Sequence, residues 1–315
     1  MPRSTLSTAA QFVAMGVTWG ASFLFIKVAL GGLSFAQVAW TRLLLGTLTL
    51  VVIVLVARIR LPRNPRLYLH FLVLGVTFCV IPHLLFSWAE QYVTSGLASI
   101  YNATTPIMTV IMAVLVFRVE RVSAPQLLGV GLGILGVVLI IAPWQAQLGG
   151  DLLGQFACLG ATLCYGFSGA YAKRFILPHG VSGVRYATLT IGSAGVVMAV
   201  LTPAIALTPV RLDGWVVGSL LALGILGTGL AYVWNGNVMA AWGPTATSTV
   251  TYLTPVVGVV LGVIVLHEAI SWHEPLGAIV VIVGILLAQR GGAQRESPTP
   301  ERARAPRRAA ARPPV

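Results

Sequence analysis

The chain has 315 residues, of which 57% are hydrophobic and only 9% are charged. Soluble domains carry roughly 25% charged residues, so this chain could not cover a water-exposed surface, and we expect lipid to be its solvent. The net charge of +12 could indicate a nucleic-acid partner. The basic residues, however, lie mostly in alternate loops and in the C-terminal tail, which is typical of a membrane-topology signal. We therefore expect a lipid bilayer, and no nucleic acid, among the partners.

Ten apolar stretches follow one another along the chain, each close to the roughly 20 residues that a helix needs to cross a bilayer. They cover residues 8–30, 34–56, 67–89, 93–117, 124–142, 152–172, 184–206, 214–236, 245–266 and 275–289. The sequence therefore predicts an all-α membrane protein with ten transmembrane helices. Residues 1–7 form a short N-terminal segment, and residues 290–315 form a basic tail rich in Pro and Ala that we expect to be disordered.

The basic residues also predict the orientation of these spans. With the N-terminus in the cytoplasm, the outer loops hold only Arg211, while Lys27 and Arg42 fall inside spans and the other basic residues face the cytoplasm. This distribution follows the positive-inside rule. We therefore expect a multi-pass protein of the inner or plasma membrane with both termini cytoplasmic, and the arginines of the tail could contact anionic head groups.

The second half of the chain repeats the first half, with residues 8–142 corresponding to residues 152–289. Each half has five spans, an odd number, so the second half must enter the bilayer upside down. Such inverted repeats are the architecture of alternating-access carriers. Two stripes recur with the same spacing: Gly16, Gly20, Phe23 and Lys27 match Thr162, Gly166, Gly169 and Lys173, and Ser95, Ser99, Asn102, Pro106 and Thr109 match Pro244, Ser248, Thr251, Pro255 and Gly258.

Two prolines and two glutamates stand at corresponding places in the halves. Pro106 and Pro255 lie in mid-span, where the ring removes a backbone hydrogen bond and bends a helix. A bent backbone at membrane depth is tolerated where protein or a watery cavity covers it. Glu120 and Glu268 each close the preceding span, and we interpret them as interfacial caps or salt-bridge partners.

Several segments carry a family resemblance: WGASFLFIK, AWTRLLLG, SWAEQYVTSGLASIYNATTP and YLTPVVGVVLGVIVLHEAISWHEPLGAIVVIVGILL. Together they resemble the two repeats of the EamA family, which belongs to the drug/metabolite transporter superfamily. The resemblance covers nearly the whole chain apart from its two ends. It implies ten helices, two inverted repeats, a central cavity between spans of both halves, and export or uptake of small metabolites. It does not imply a particular substrate.

Three charged side chains converge on the outer half of the membrane in this topology: Lys27, Arg42 and Glu90. Each unpaired charge at the bilayer centre costs roughly 2.5–3.5 kcal/mol, so pairing or a wet cavity is expected. In one interpretation Glu90 pairs with Arg42 to fix helix packing, and Lys27 extends outward. In the other, surplus positive charge binds a substrate carboxylate or phosphate while Glu90 takes up a proton to drive transport. His83 could share that proton, since histidine titrates near neutral pH.

The second half offers no such charges, because span eight carries only Thr228, Tyr232 and Asn235 at the corresponding spacing. We therefore expect an asymmetric cavity, with charged groups from the first half and neutral polar or aromatic groups from the second. An interfacial or packing role remains open for the aromatic side chains. The substrate-binding candidates are Trp19, Lys27, Arg42, Ser99, Asn102, Tyr232, Asn235 and Thr251, and the proton-coupling candidates are Glu90 and His83.

We expect a secondary active transporter, favoured as an exporter by the resemblance, that moves amino acids or related small amphipathic compounds. No enzyme motif, nucleotide loop or metal-ligand spacing is present in the sequence, so no enzyme activity, cofactor or metal ion is expected. A nucleotide-sugar or phosphometabolite exchanger of the same superfamily is an alternative, and a membrane-embedded enzyme acting on lipid-linked substrates is another. The glycines of span five could pack within the chain or support a homodimer; they are Gly129, Gly131, Gly133 and Gly136.

Overall fold

Helices, and no strands, make up the regular structure of the described residues in the computed structural model, which are 5–118, 123–142 and 150–296. Glu120, residues 1–4 and the tail from residue 297 lie outside them. The helices are α1 (Thr5–Ala29), α2 (Phe35–Val56), α3 (Pro65–Ala89), α4 (Ser95–Val116), α5 (Ala124–Ile141), α6 (Gly150–Phe175), α7 (Gly183–Val200), α8 (Gly214–Ser248), α9 (Val250–Leu266) and α10 (His273–Glu296).

Seven of these helices are long and apolar enough to cross a membrane, namely α1 to α5, α7 and α8. The apolar parts of α9 and α10, Val250–Leu266 and His273–Ala288, are shorter. Helix α6 is also long, but many of its residues are small or polar, so that it is less apolar than the seven helices above. Many large apolar side chains remain exposed to the surroundings, including Leu55, Val56 and Leu201. The prediction of an all-helical membrane protein is thereby confirmed.

Three helix ends differ from the predicted spans. Helix α7 ends at Val200 instead of 206, and a separate single turn, Thr202–Ile205 with Pro203 near its start, follows it. The helix that begins at Gly214 continues through Ala231–Ser248, so the loop expected near residues 237–244 is helical. Helix α10 continues to Glu296, beyond the predicted start of the tail at residue 290.

Side-chain caps set the beginnings of several helices. Ser34 and Gln37 form a capping box at the start of α2, and Ser123 and Gln126 form another at the start of α5. Asp213 accepts a hydrogen bond from the backbone N–H of Val216 at the start of α8. The first N–H groups of a helix have no partner within it, and these side chains satisfy them.

Helices α3, α4 and α8 each depart from regular α geometry within the bundle. Helix α3 contains a π-helical turn at Gly75–Val80, α4 contains one at Met112–Val116, and α8 contains a longer one at Ala222–Leu230. Helix α4 is also interrupted between its first part, Ser95–Asn102, and its second part, which starts at Thr105. Such turns widen the backbone spiral locally and are frequent at functional sites.

The two prolines singled out in the sequence have different surroundings. Pro106 lies in the first turn of the second part of α4, immediately after the interruption. This is a position where its missing N–H costs nothing. Pro255 lies inside α9, which continues through it. The two corresponding spans therefore use their prolines in different ways.

Helices from the two halves pack against one another throughout the molecule. Helix α1 packs on α9, α2 on α7 and α8, α3 on α6, α4 on α6 and α9, and α5 on α10. The contact between α5 and α10 is a close approach of glycines, in which a Cβ atom at Gly129 would collide with the carbonyl oxygen of Gly284. Gly133 and Gly136 likewise face neighbours within the chain, whereas Gly131 faces open space.

Candidate functional site

A cavity of about 150 Å³ lies between helices of both halves. Helices α1, α2, α3 and α4 contribute to it from the first half, and α6, α8 and α9 contribute from the second. Its lining residues are Trp19, Ser22, Phe23, Ile26, Arg42, Phe78, His83, Phe86, Asn102, Thr105, Tyr165, Tyr232, Thr251 and Thr254.

Arg42 is the charged side chain among these lining residues. It extends from α2 and is 7% exposed. Its Nε donates a hydrogen bond of 3.0 Å to Thr228 Oγ1 on α8. The Thr228 hydroxyl in turn donates to the carbonyl oxygen of Leu223, five residues earlier in the π-helical turn of α8. The π-helical turn therefore orients the Thr228 hydroxyl so that its oxygen accepts the hydrogen bond from Arg42.

Trp19 and Tyr232 form an aromatic edge next to this charge. Their rings meet edge to face, with centroids 5.7 Å apart, an arrangement that aromatic pairs prefer. The Trp19 Nε1–H donates to the carbonyl oxygen of Gly227 over 3.1 Å. The indole is therefore fixed by α8, and its face is available to the cavity.

Aromatic rings from α3 and α6 form an apolar part of the lining. Tyr165 lies edge to face with Phe78 at 5.3 Å between centroids, and Phe86 lies edge to face with Phe23 at 5.4 Å. Hydroxyl and amide groups of α4 and α9, at Asn102, Thr105, Thr251 and Thr254, also line the cavity. The cavity thus combines one cation, neutral hydrogen-bonding groups and a broad apolar surface.

Glu90 and His83 are buried polar groups without hydrogen-bond partners among the described residues. The Glu90 side chain is fully buried and neither carboxylate oxygen is bonded, while His83 is 3% exposed and its Nδ1 is unbonded. His83 lines the cavity, and Glu90 does not. The proposed pairing of Glu90 with Arg42 is therefore absent from the described structure, where Arg42 binds Thr228 instead.

Lys27 and Glu268 hold the connection between α3 and α4 from opposite sides. Lys27 Nζ donates to the carbonyl oxygens of Glu90 and Val93, the latter at 2.9 Å. Lys27 thus binds the free carbonyls at the end of α3. The carboxylate of Glu268 accepts hydrogen bonds from Ser95 N, Ser95 Oγ and Gly96 N at 2.7 to 3.0 Å.

The Glu268 contact is an interhelical cap of the kind expected from the sequence. Ser95 and Gly96 are the first residues of α4, and Thr94 caps the next N–H, that of Leu97. His267 ends α9 with a φ of 54°, in the left-handed region, and this turn brings Glu268 back toward α4. Negative charge at a helix N-terminus is stabilising.

Comparison with known proteins identifies the family of the chain. The sequence model of the EamA-like transporter family matches residues 6–142 and again residues 152–289. The chain belongs to this family. The EamA resemblance predicted from the sequence is thereby confirmed, and the family is one of transporters and not of enzymes.

Named relatives of this EamA protein include exporters. It is 27% identical over 293 residues to a probable terminal-alkyne amino-acid exporter of Streptantibioticus cattleyicolor, covering 91% of this chain and 95% of the relative. It is 25% identical to a probable amino-acid metabolite efflux pump of Escherichia coli, covering 86% and 91% of the two chains. The chain also shares its fold with a protein of known crystal structure, to which it is 18% identical with a TM-score of 0.63. The match covers 93% of this chain and 100% of the other.

The cavity of this EamA protein includes six of the residues named from its sequence. Trp19, Arg42, His83, Asn102, Tyr232 and Thr251 line it. Lys27 and Ser99 are engaged elsewhere, Ser99 by a hydrogen bond to the carbonyl oxygen of Gly96, and Asn235 lies outside the lining.

Sequence reasoning missed Tyr165 and Thr254, although the repeat held the signal for both. Tyr165 stands 146 residues after Trp19, and Thr254 stands 149 residues after Thr105. These are the separations of the two repeated stripes.

Proposed function

We propose that this EamA protein is a secondary active transporter that exports small organic metabolites, amino acids or related amphipathic compounds, by alternating access coupled to protons. The observation that carries this proposal is the cavity, which is lined by both halves of the chain and combines Arg42 with neutral hydrogen-bonding and aromatic groups. A site between two packed halves is accessible alternately when the halves rock against one another. The names of the two exporter relatives support an amino-acid-like cargo and outward transport.

The architecture that we propose for this transport has ten transmembrane helices in two inverted repeats, residues 8–142 and 152–289, with both termini in the cytoplasm of a cell or inner membrane. Matched contacts between the halves support it. Gly20 on α1 packs against Val257 on α9, and Gly166 on α6 packs against Met108 on α4. Met108 and Val257 are 149 residues apart, as are the prolines of the two stripes, so each contact is the counterpart of the other.

Coupling to protons is proposed to depend on Glu90, with His83 as a second proton carrier. Glu90 is fully buried without a hydrogen-bond donor to its carboxylate among the described residues. A buried ionised carboxylate without partners is costly, and binding a proton removes that charge. The positive Lys27 Nζ lies against the backbone of the same residue, so a change of charge at Glu90 alters the forces on the connection between α3 and α4.

Transport by purified protein in proteoliposomes tests the proposal. A panel of labelled amino acids and related small amphipathic compounds should include one that moves faster with an imposed pH gradient than without it. Glu90→Gln keeps the size of the side chain and cannot exchange the proton, so we expect this variant to lose the gradient-driven component while it still exchanges cargo at equilibrium. His83→Gln should weaken the gradient response in part.

Asp213→Asn is the matched control for Glu90→Gln, because Asp213 is an exposed carboxylate that caps α8 outside the cavity. It should retain the wild-type response to the gradient. If Glu90→Gln also retains it, Glu90 has no coupling role. If no compound of the panel is transported by folded protein, the proposed cargo class is wrong.

The nucleotide-sugar or phosphometabolite exchanger is less well supported by the cavity. Its volume of about 150 Å³ is below the roughly 300–1,000 Å³ of pockets that hold drug-sized ligands. Arg42 is the charged group among its described lining residues, whereas a phosphorylated cargo carries at least two negative charges near neutral pH. A small cargo with one negative charge fits these features better.

A further inference from the structure

Three pairs of lining residues with similar chemistry occupy corresponding positions in the two halves of the chain. The paired positions carry groups of similar chemistry: an aromatic ring on α1 and α6, an amide or hydroxyl on α4 and α9, and a threonine hydroxyl on α4 and α9. These pairs are Trp19 with Tyr165, Asn102 with Thr251, and Thr105 with Thr254. Arg42, from the first half, adds a positive charge that no lining residue of the second half carries.

The guanidinium of Arg42 has hydrogen-bonding capacity left over for a ligand. Within the described residues, its hydrogen bond runs from Nε to Thr228, and its two Nη groups have no such bond. A guanidinium has five N–H donors in a planar fork that matches the two oxygens of a carboxylate. The Thr228 contact fixes the plane of this fork without neutralising its charge.

A carboxylate from the protein does not fill this position in the described part of the chain. The fourteen lining residues include none of the acidic type. The buried Glu90 lies outside the lining, and its oxygens are without hydrogen-bond partners. A buried cation that lacks an anionic partner is costly, so an anionic group brought by the cargo would supply the missing partner.

The other lining residues offer no acidic side chain for a positive group. Much of the lining is apolar and consists of the rings of Phe78, Phe86 and Tyr165 together with Ile26 and Phe23. An ammonium on the cargo would share the cavity with Arg42 and would be repelled by it, with only neutral groups to bind it. The apolar lining instead favours a hydrocarbon or aromatic body.

We infer that the cavity selects amphipathic monocarboxylates, with the carboxylate on the Arg42 guanidinium and the apolar body against Phe78, Phe86 and Tyr165, and that an α-ammonium group is dispensable. This inference rests on the proposed transport function and narrows its cargo class. Amino acids are then accepted for their carboxylate and side chain, and their deamino counterparts are accepted equally well or better.

Binding to wild-type protein in lipid nanodiscs near neutral pH tests the inference with three matched series. Each series has an amino acid, its deamino acid and the amide of that acid: phenylalanine with 3-phenylpropionate, tryptophan with indole-3-propionate, and leucine with 4-methylpentanoate. A hydrogen-bonded charged contact corresponds to roughly tenfold or more in affinity. In at least one series we expect the acid to bind about tenfold or more tightly than its amide, and no more than about tenfold more weakly than the amino acid.

Substitutions locate this preference on Arg42. Arg42→Gln keeps a donor for Thr228 but removes the charge, and should bring the affinity ratio of acid to amide close to one. Arg42→Lys should retain part of the ratio, because it keeps a charge without the planar fork. Arg211→Gln, which removes an exposed cation, should keep the wild-type ratio. If Arg42→Gln does not fold, Thr228→Val, which leaves Arg42 in place without its anchor, should lower the ratio.

Failure of the inference can be told apart from failure of the transport function. If the amides bind as tightly as the acids in all three series, or if the amino acids bind more than tenfold more tightly than the deamino acids, the inference is wrong. The same conclusion follows if none of the three acids binds. Gradient-driven transport of amino acids would then still support the proposed function. Selective binding of acids by a protein that transports none of them would contradict the function alone.

Discussion

Glu268 illustrates how one side chain can connect the two halves of the chain. Its carboxylate accepts three hydrogen bonds from Ser95 and Gly96, and Lys27 binds the carbonyls that precede them on the same connection. An anion at the start of α4 and a cation at the end of α3 both oppose the local helix dipoles. A Cβ atom at Gly262 would collide with the Glu268 carboxylate, so the glycine provides the space for this contact.

Glu268→Ala should lower the free energy of unfolding by about 2–3 kcal/mol, since it removes an N-terminal cap made of charge-assisted hydrogen bonds. Glu268→Gln keeps one acceptor oxygen and should cost about half as much. Thermal unfolding of the purified protein in detergent, followed by intrinsic fluorescence, measures the difference. Glu274→Gln, in the first turn of α10, is the control, and an equal loss in this variant would contradict the assigned role of Glu268.

The sequence predicted the types of the important residues better than it predicted their partners. The rarity of charges at membrane depth was enough to single out Lys27, Arg42 and Glu90. The partners of Lys27 and Arg42, however, are backbone carbonyls and the Thr228 hydroxyl, which carry no charge and leave no signature in a sequence. The cap at Glu268 was predictable as a cap, but its target on the other half depends on the left-handed turn at His267.

Helices α5 and α10 form the most extensive contact between helices of the two halves. Backbone approaches backbone where Gly129 meets Gly284 and where Gly136 meets Gly277. Small residues allow such an approach within membranes, where van der Waals packing contributes most to helix association. Gly129, Gly133 and Gly136 contact neighbours within the chain, and Gly131 is the glycine of α5 that faces open space.

Gly129→Ala should therefore destabilise the protein by about 1–3 kcal/mol, as expected for overpacking, because the new methyl group would force the backbones of α5 and α10 apart. Gly131→Ala is the matched control on the same helix, with no atom within 4 Å of the new Cβ. It should be neutral or slightly stabilising, since alanine favours a helix more than glycine does. Comparison of the two unfolding temperatures in the same detergent decides the point. Equal losses would show that this interface is not tightly packed.

Most helix boundaries were readable from the sequence because apolar length and capping residues are local features. Ser34, Ser123 and Asp213 mark starts that the structure retains. The π-helical turns of α3, α4 and α8 were not readable, because they depend on how neighbouring helices pack. The helical continuation of α8 to Ser248 was also missed, since the predicted span ended at residue 236 and the next began at residue 245.

The whole molecule depends on contacts between its halves, since helices of each half pack against helices of the other. If each half contributes five spans, the sequence order alone determines on which side of the membrane each connection lies. The connection between α5 and α6 should be outside, and the region after α10 should be inside.

Reporter tags inserted after residues 148 and 292 should therefore report opposite sides of the membrane, with the second one cytoplasmic. Alkaline phosphatase is active outside the cytoplasm and a fluorescent protein folds within it, so a pair of fusions at each site gives complementary readings. A tag after residue 31, in the short connection between α1 and α2, should agree with residue 148. Reports of one compartment for residues 148 and 292 would contradict the inverted arrangement.

Arg42 is carried by a helix of the first half, while the hydroxyl that orients it belongs to the second. If the halves rotate against each other during transport as proposed, the angle at which the guanidinium faces the cavity changes. The dissociation constant of a cargo held by Arg42 would then differ between the two orientations, and by linkage cargo binding would bias the equilibrium between them. This one hydrogen bond between the halves would make the cargo bind more tightly on one side of the membrane than on the other.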